Sequence, residues 1–246
     1  MSKSLKSVSG LFVKIGIFAI AMGILEAIVV VYIRKLYYPA GFDFPLKATS
    51  PELVHTELIR EITTIIMLAI IALIAGKNLL QKFSYFIYCF GIWDIFYYLG
   101  LKIFLNWPPS LLTWDVLFLI PVPWIGPVLA PIICSLTMIF LAMCIVYLQE
   151  KGYVVRLKFS DWALIIVGGA VIFSTFIWDY TSIIISGGFL SEYWTLVTNK
   201  QFQSIVTKYI PAYYNWYLFA VGEILIITAV LLIIKRANEK PKQINI

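Results

Sequence analysis

Charge is scarce in this chain. Asp, Glu, Lys and Arg make up 13% of its 246 residues, against roughly 25% in ordinary soluble domains, so a soluble globule is excluded. Disorder is excluded by the same imbalance, because it needs low hydrophobicity and high charge density. With so few charges, the net +6 does not make a nucleic-acid binder, and no nucleic-acid partner is expected. A single histidine, His55, rules out bis-histidine haem ligation and histidine-rich di-iron sites, and leaves any serine triad dependent on one residue. Cys89, Cys134 and Cys144 lie inside apolar runs, so neither a disulfide framework nor a spaced Cys/His zinc motif is present. No glycine-rich phosphate loop with its lysine occurs, and no Gly-x-Ser-x-Gly elbow, which excludes an internal ATPase motor. Neither haem nor nucleotide is therefore an expected cofactor.

Hydrophobic residues, in contrast, reach 61%. At roughly 20 apolar residues per membrane-spanning helix, this content allows about six or seven spans and leaves little for a separate soluble domain. The apolar segments run from about 11 to 33, 56 to 76, 83 to 105, 127 to 149, 162 to 185 and 212 to 234, and residues 1–246 read as one helical transmembrane domain. Lys3, Lys6 and Lys14 precede apolar sequence that continues past Ala19 and Ala21 to Ile33. That is longer than the core of a cleaved signal peptide, so a retained first span is expected.

The stretch 107 to 126 is broken. Pro108, Pro109, Pro121, Pro123 and Pro127 bracket the apolar piece Leu111 to Ile120, too short to span as a helix. Basic residues decide how to count it, because cytoplasmic loops accumulate Lys and Arg. Six spans with the N-terminus inside give the cytoplasmic side Lys3, Lys6, Lys14, Lys77, Lys82, Lys151, Arg156, Lys158, Lys235, Arg236, Lys240 and Lys242, twelve of the 19 basic residues. A seventh span would split them. The expected fold is therefore an all-α polytopic membrane protein with six transmembrane helices, a re-entrant or interfacial half-helix at 107–126 on the outer side, and both termini cytoplasmic. A proline-kinked helix start is the alternative for that segment. Ser50-Pro51-Glu52 matches a helix N-cap with proline in the first turn. Phe202, Ile205, Val206 and Tyr209 repeat at the spacing of a short surface helix or a covering loop.

Ionisable side chains inside spans are costly and mark functional positions by default. The first span holds Glu26, the second opens with His55, Glu57, Arg60, Glu61 and Thr64, the third holds Asp94 and Lys102, the fifth Asp179 and the sixth Glu223. Most fall between mid-membrane and the outer interface. Glu57, Arg60, Glu61 and Thr64 share one helix face, either as an ion-pair ladder in the headgroup layer or as a site in which Glu57 and Glu61 act as ligands or acid/base groups and Arg60 clamps an anion. Asp94, Tyr98 and Lys102 form a stripe on the third span, with Trp93 preceding Asp94. Thr175, Asp179, Ser182 and Ser186 form another on the fifth, lining a wet cavity or bonding a neighbouring helix. Gly16, Ala19, Gly23 and Ala27 make a small-residue face beside Glu26, and Arg34 lies two turns beyond on the face of Glu26, where the outer mouth is expected. Trp-Asp occurs three times, as Trp93-Asp94, Trp114-Asp115 and Trp178-Asp179, a hint of internal duplication. Carboxylate-only metal binding through Glu57, Glu61, Asp94 and Asp115 would favour a divalent cation such as Mg²⁺, Mn²⁺ or Ca²⁺.

The run Gly91-Ile92-Trp93-Asp94-Ile95-Phe96-Tyr97-Tyr98, with Asn106-Trp107-Pro108, Leu112-Thr113-Trp114-Asp115 and Pro121-Val122-Pro123-Trp124, resembles a group of bacterial multi-pass integral membrane proteins with no assigned function. The resemblance covers roughly residues 20 to 135. It implies a bacterial cytoplasmic (inner) membrane location and supplies no activity or catalytic residue. Three functions remain open. One is an enzyme acting on a lipid-linked or amphipathic substrate at an outward-facing site, with Asp94, Glu57, Glu61 and Glu26 catalytic and Arg60, Lys102, Tyr98, Trp93, Asp115 and Asp179 binding substrate. Another is a small transporter or channel for a cation or proton-coupled solute. The third is a membrane assembly subunit without catalysis. Membrane lipids are the expected partners, and no protein partner is indicated.

Overall fold

The computed structural model describes residues 3–239; of the basic residues assigned above to the cytoplasmic side, Lys240 and Lys242 lie outside them. The chain forms α1 (Lys3–Tyr37), α2 (Pro51–Ala75), α3 (Leu79–Leu105), β1 (Trp114–Phe118), β2 (Trp124–Pro127), α4 (Leu129–Glu150), α5 (Phe159–Ser186), a 3₁₀ helix (Phe189–Thr195), α6 (Lys200–Val206) and α7 (Trp216–Glu239). Six of these, α1 to α5 and α7, are long and apolar enough to cross a membrane, and each coincides to within a few residues with one of the apolar segments read from the sequence. Their outward flanks carry exposed Ile17, Ile70, Ile74, Ile166 and Leu231. A water-facing helix would be polar there, whereas a lipid-facing one is not.

Local chemistry sets the helix ends. Ser50 caps α2 by accepting the Leu53 amide at 3.3 Å, with Pro51 in the first turn, because an N-cap hydroxyl satisfies an amide that the helix leaves unpaired and proline has none to leave. Asn106 stops α3 in the left-handed region at φ 51°, a conformation that Asn tolerates better than most residues. The last span begins at Trp216 rather than near 212, since Asn215 Oδ1 accepts the Leu218 amide at 3.0 Å and fixes the cap there.

Helix pairs form where side chains vanish. Gly23 on α1 faces the Trp93 carbonyl of α3, where a Cβ would lie 2.5 Å from that oxygen, and Gly168 on α5 faces Gly222 on α7 with the same consequence at 2.7 Å. These are the small-residue approaches that membrane helices use in place of a hydrophobic drive. Thus α1 lies along α3, α3 along α4, and α5 along α7, with α2 on α3 and α4 on α7 closing the bundle.

The broken segment corrects the sequence reading. It is not a half-helix but an antiparallel hairpin: Trp114 faces Pro127, Asp115 faces Gly126, Val116 faces Ile125, and after a register shift Phe118 faces Trp124. Pro121 and Pro123 offer no amides, so a helix through them would lose its ladder, whereas a hairpin places them in its connection. The flanking loop also feeds α4, whose start lacks a side-chain cap: Val128 and Leu129 donate their amides to the carbonyls of Thr113 and Leu111 at 3.0 and 2.7 Å. The α6 helix matches the surface helix expected between the last two spans, with Phe202 and Val206 buried beneath it against Phe189 and Tyr180.

Candidate functional site

The C-terminal end of α1, the N-terminal end of α2, the C-terminal end of α3 and the hairpin meet at one end of the bundle, around a cavity of about 250 Å³. Seven of the ten candidate residues line it: Glu26, Glu57, Arg60, Glu61, Trp93, Asp94 and Asp115. Arg34, Lys47, Tyr97 and Tyr180 are among its other polar walls. Tyr98, Lys102 and Asp179 do not reach it.

Arg60 is the hub on α2. Its Nε and Nη2 donate to Glu57 Oε2 at 2.9 and 2.7 Å, one turn away, and its Nη1 pairs with Glu26 Oε1 across the α1–α2 boundary. Thr64 adds a hydroxyl to Glu26 Oε2 at 3.2 Å. The single polar face of α2 is therefore a ladder that also reaches a second helix. Glu61 turns the other way and accepts the Leu119 amide of the hairpin connection at 2.9 Å through Oε2. Backbone at this depth needs such a partner, because water does not supply one.

Asp115 anchors the hairpin. It is fully buried and takes Arg34 Nη2 at 2.7 Å on Oδ1, the Val116 amide at 2.8 Å on the same oxygen, and the Tyr98 hydroxyl at 3.2 Å on Oδ2. The Arg34 guanidinium lies between Phe42 and Trp107, 4.3 and 3.9 Å from their ring centres, an arrangement in which ring quadrupoles stabilise a desolvated cation. Burial pushes the Asp115 carboxyl up from the ordinary aspartate value, and Arg34, Val116 and Tyr98 pull it back. Across the cavity, Tyr38 accepts the Lys47 amide at 2.8 Å, and burial raises its hydroxyl pKa.

Asp94 stands apart from these pairs. Ser135 on α4 donates to its Oδ2 at 2.8 Å, and Asp94 lines both the polar cavity and a second, largely apolar one of about 360 Å³ between α3, α4, α5 and α7. Trp93, Leu117 and Phe118 are the other shared walls. Glu223 lines the second cavity, accepting the Thr137 hydroxyl at 2.8 Å on Oε2, while its Oε1 has no hydrogen-bond partner among the described residues.

The expected stripes dissolve in the folded chain. Lys102 caps the end of α3, reaching the Pro108 carbonyl at 3.1 Å rather than Asp94. Asp179 acts on Tyr209, whose hydroxyl pKa is raised by burial and by that carboxyl group, and Thr175 shares a 2.8 Å hydrogen bond with Tyr214. The three Trp-Asp pairs meet unrelated partners: Ser135, Arg34 with Tyr98, and Tyr209. Lys47, Ser135 and Thr137 are absent from the site read from the sequence, which placed Arg34 at its outer mouth without naming it as a site residue. Ser135 and Thr137 carried a signal, as polar residues inside an apolar span; Lys47, in a loop without periodicity, carried none.

No protein-family model matches the chain, and comparison with curated proteins and with solved structures returns no match. The chemistry must be argued from the site. Five carboxyl groups line the polar cavity with three basic side chains, Arg34, Lys47 and Arg60. Glu26, Glu57 and Asp115 are held by guanidinium groups and Glu61 by a backbone amide. Among the described residues, no three His, Cys, Asp or Glu side chains are grouped as metal ligands would be. The arrangement sets hydrogen-bond acceptors and fixed cations around one cavity, with one Asp94 oxygen engaged by Ser135.

Proposed function

We propose that this protein is a membrane enzyme whose polar cavity opens on the outer side of a bacterial cytoplasmic membrane and receives the polar part of a lipid-linked or amphipathic substrate. The reading rests on one observation: charged groups from α1, α2, α3 and the hairpin converge on a cavity at one end of a bundle whose flanks are hydrocarbon. Charges so placed within membrane-spanning helices are costly and are kept for a task. The end bearing Lys77, Lys82, Lys151, Lys158 and Arg236 is cytoplasmic in this reading, following the excess of basic residues there. The hairpin, at the opposite end, re-enters from outside as the wall of the site. Arg60 and Arg34 orient the polar group, and Asp94, which spends one oxygen on Ser135, is the general acid or base.

Native mass spectrometry of the detergent-purified protein tests this, beside Asp94→Asn and the double variant Glu57→Gln/Glu61→Gln. A specific lipid adduct, with or without a divalent metal, should be retained by the parent and lost from the variants. Bare protein in all three, or one adduct common to all, would refute the site. A second reading, transport of a cation or a proton-coupled solute, draws on Asp94 and on the unpartnered Glu223 Oε1 at the apolar cavity. Ion flux in proteoliposomes that is abolished by Glu223→Gln would favour it.

A further inference from the structure

The second cavity has room for a hydrocarbon chain. It extends inward from the hairpin, between the α3–α4 pair and the α5–α7 pair, with Asp94 and Glu223 in its outer part, hydrogen-bonded by Ser135 and Thr137. Its inner part is walled by Phe83, Ile87, Met138, Leu141, Ile165 and Gly169. From Asp94 back to Phe83, at 1.5 Å rise per residue, the wall of α3 covers about 16 Å, so a volume of about 360 Å³ averages roughly 22 Å² in cross-section. That is the width of one extended alkyl chain. At roughly 30 Å³ for each water-sized or methylene-sized unit, it holds about a dozen.

Gly168 and Gly169 make the point sharper. Gly168 is needed for contact, since a Cβ there would strike the Gly222 carbonyl, but at Gly169 a Cβ meets nothing within 4 Å. Helix interiors disfavour glycine, and close packing does not account for this one. Its missing side chain widens the chamber. Between α3 and α5 the packing is slight, since α3 lies on α1 and α4 while α5 lies on α7; Phe83 meets Trp162 edge-on at 5.3 Å at the inner end, and the seam outward of that contact is the lateral side of the chamber.

We propose that this chamber binds the single hydrocarbon chain of the amphipathic substrate, entering through the α3–α5 seam, with Gly169 setting the room available and Phe83 and Ile165 the inner limit. The proposal rests on the reading of the polar cavity as a head-group site, which it abuts at Trp93, Asp94, Leu117 and Phe118. It predicts selection by chain length.

The test uses the full-length protein in nanodiscs with octyl, dodecyl and octadecyl alcohols carrying a terminal diazirine, and maps photolabelled peptides by mass spectrometry. The dodecyl probe should label chamber residues of α3 and α5 more strongly than the octadecyl probe. Gly169→Leu should cut that labelling about tenfold, the effect of displacing about two methylenes from a buried site, while Gly169→Ala should leave most of it. Ile165→Phe fills the chamber from its inner end and gives an independent reading, and each variant is compared at a matched thermal melt. Labelling confined to outward residues such as Ile166 and Leu231, or labelling indifferent to both filling substitutions and to chain length, would show ordinary bilayer contact and overturn the proposal. These probes carry only a hydroxyl and no charged head group for the polar cavity to hold, so their labelling should survive Glu57→Gln/Glu61→Gln. If chain labelling fails while the native adduct still depends on those glutamates, the chamber proposal falls and the head-group site stands; the reverse pattern separates them the other way.

Discussion

Removing Arg34 should unfasten the hairpin. Arg34→Met keeps an unbranched apolar stem between Phe42 and Trp107 but leaves the Asp115 carboxylate, fully buried and formerly 2.7 Å from the guanidinium, with only Tyr98 and its neighbour's amide. Breaking a buried pair from one side costs about 3–5 kcal/mol, because the remaining charge is stranded in a medium that cannot solvate it. The rings add to this, since a desolvated cation–π contact contributes up to about 2 kcal/mol in favourable cases. The double variant Arg34→Met/Asp115→Asn removes both charges and should cost less than the two single changes together, by about 2–3 kcal/mol of coupling. Equilibrium unfolding of the four proteins in mixed detergent, followed by far-ultraviolet circular dichroism, gives the cycle. If Arg34→Met costs under about 1 kcal/mol, as a solvated surface pair would, then Asp115 is not buried against Arg34 as described and the reasoning fails.

Two further outcomes can be checked alongside. Because burial raises the Asp115 carboxyl in the folded chain above its ordinary value of 3.8, the folded state holds that proton more tightly than the unfolded one. Stability from this group is thus full below the ordinary value and declines as pH rises through the folded value; Asp115→Asn should flatten that part of a stability-against-pH curve, and an unchanged slope would count against it. Gly168→Ala should cost about 1–3 kcal/mol by overpacking against Gly222, whereas the adjacent Gly169→Ala should be neutral or slightly stabilising; equal melting of the two variants would contradict the described α5–α7 approach.

What could be read from the sequence is what depends on neighbours in the chain. The apolar runs, the Ser50-Pro51 start of α2 and the small-residue face of α1 follow from composition or from spacing within one helix, and the folded chain carries all three. Arg60 and Glu57 meet because they are one turn apart. The hairpin was hidden because prolines announce only that a helix stops, and strand pairing is settled by residues across the turn. The partners of the buried charges were hidden for a related reason: Arg34 and Asp115 are 81 positions apart, and Asp94 and Ser135 are 41 apart. Periodicity even misled at Lys102, which shares a helix face with Asp94 yet sits so near the end of α3 that the unpaired carbonyls beyond it take its ammonium.

The hairpin also divides its partners by their order in the chain. It is fastened to α1 by Arg34 and Asp115, to α2 by Glu61 and Leu119, and to α3 by Tyr98, all elements that the ribosome has already delivered. Its other side waits. Trp124 stacks on Phe176 of α5, and the Pro121 carbonyl takes the Tyr193 hydroxyl from the 3₁₀ helix, neither of which exists until α4 and α5 have been made and inserted. Its partners on one side thus precede it in the chain, and those on the other follow it. The first three helices hold one side of the hairpin, and the C-terminal half covers the other.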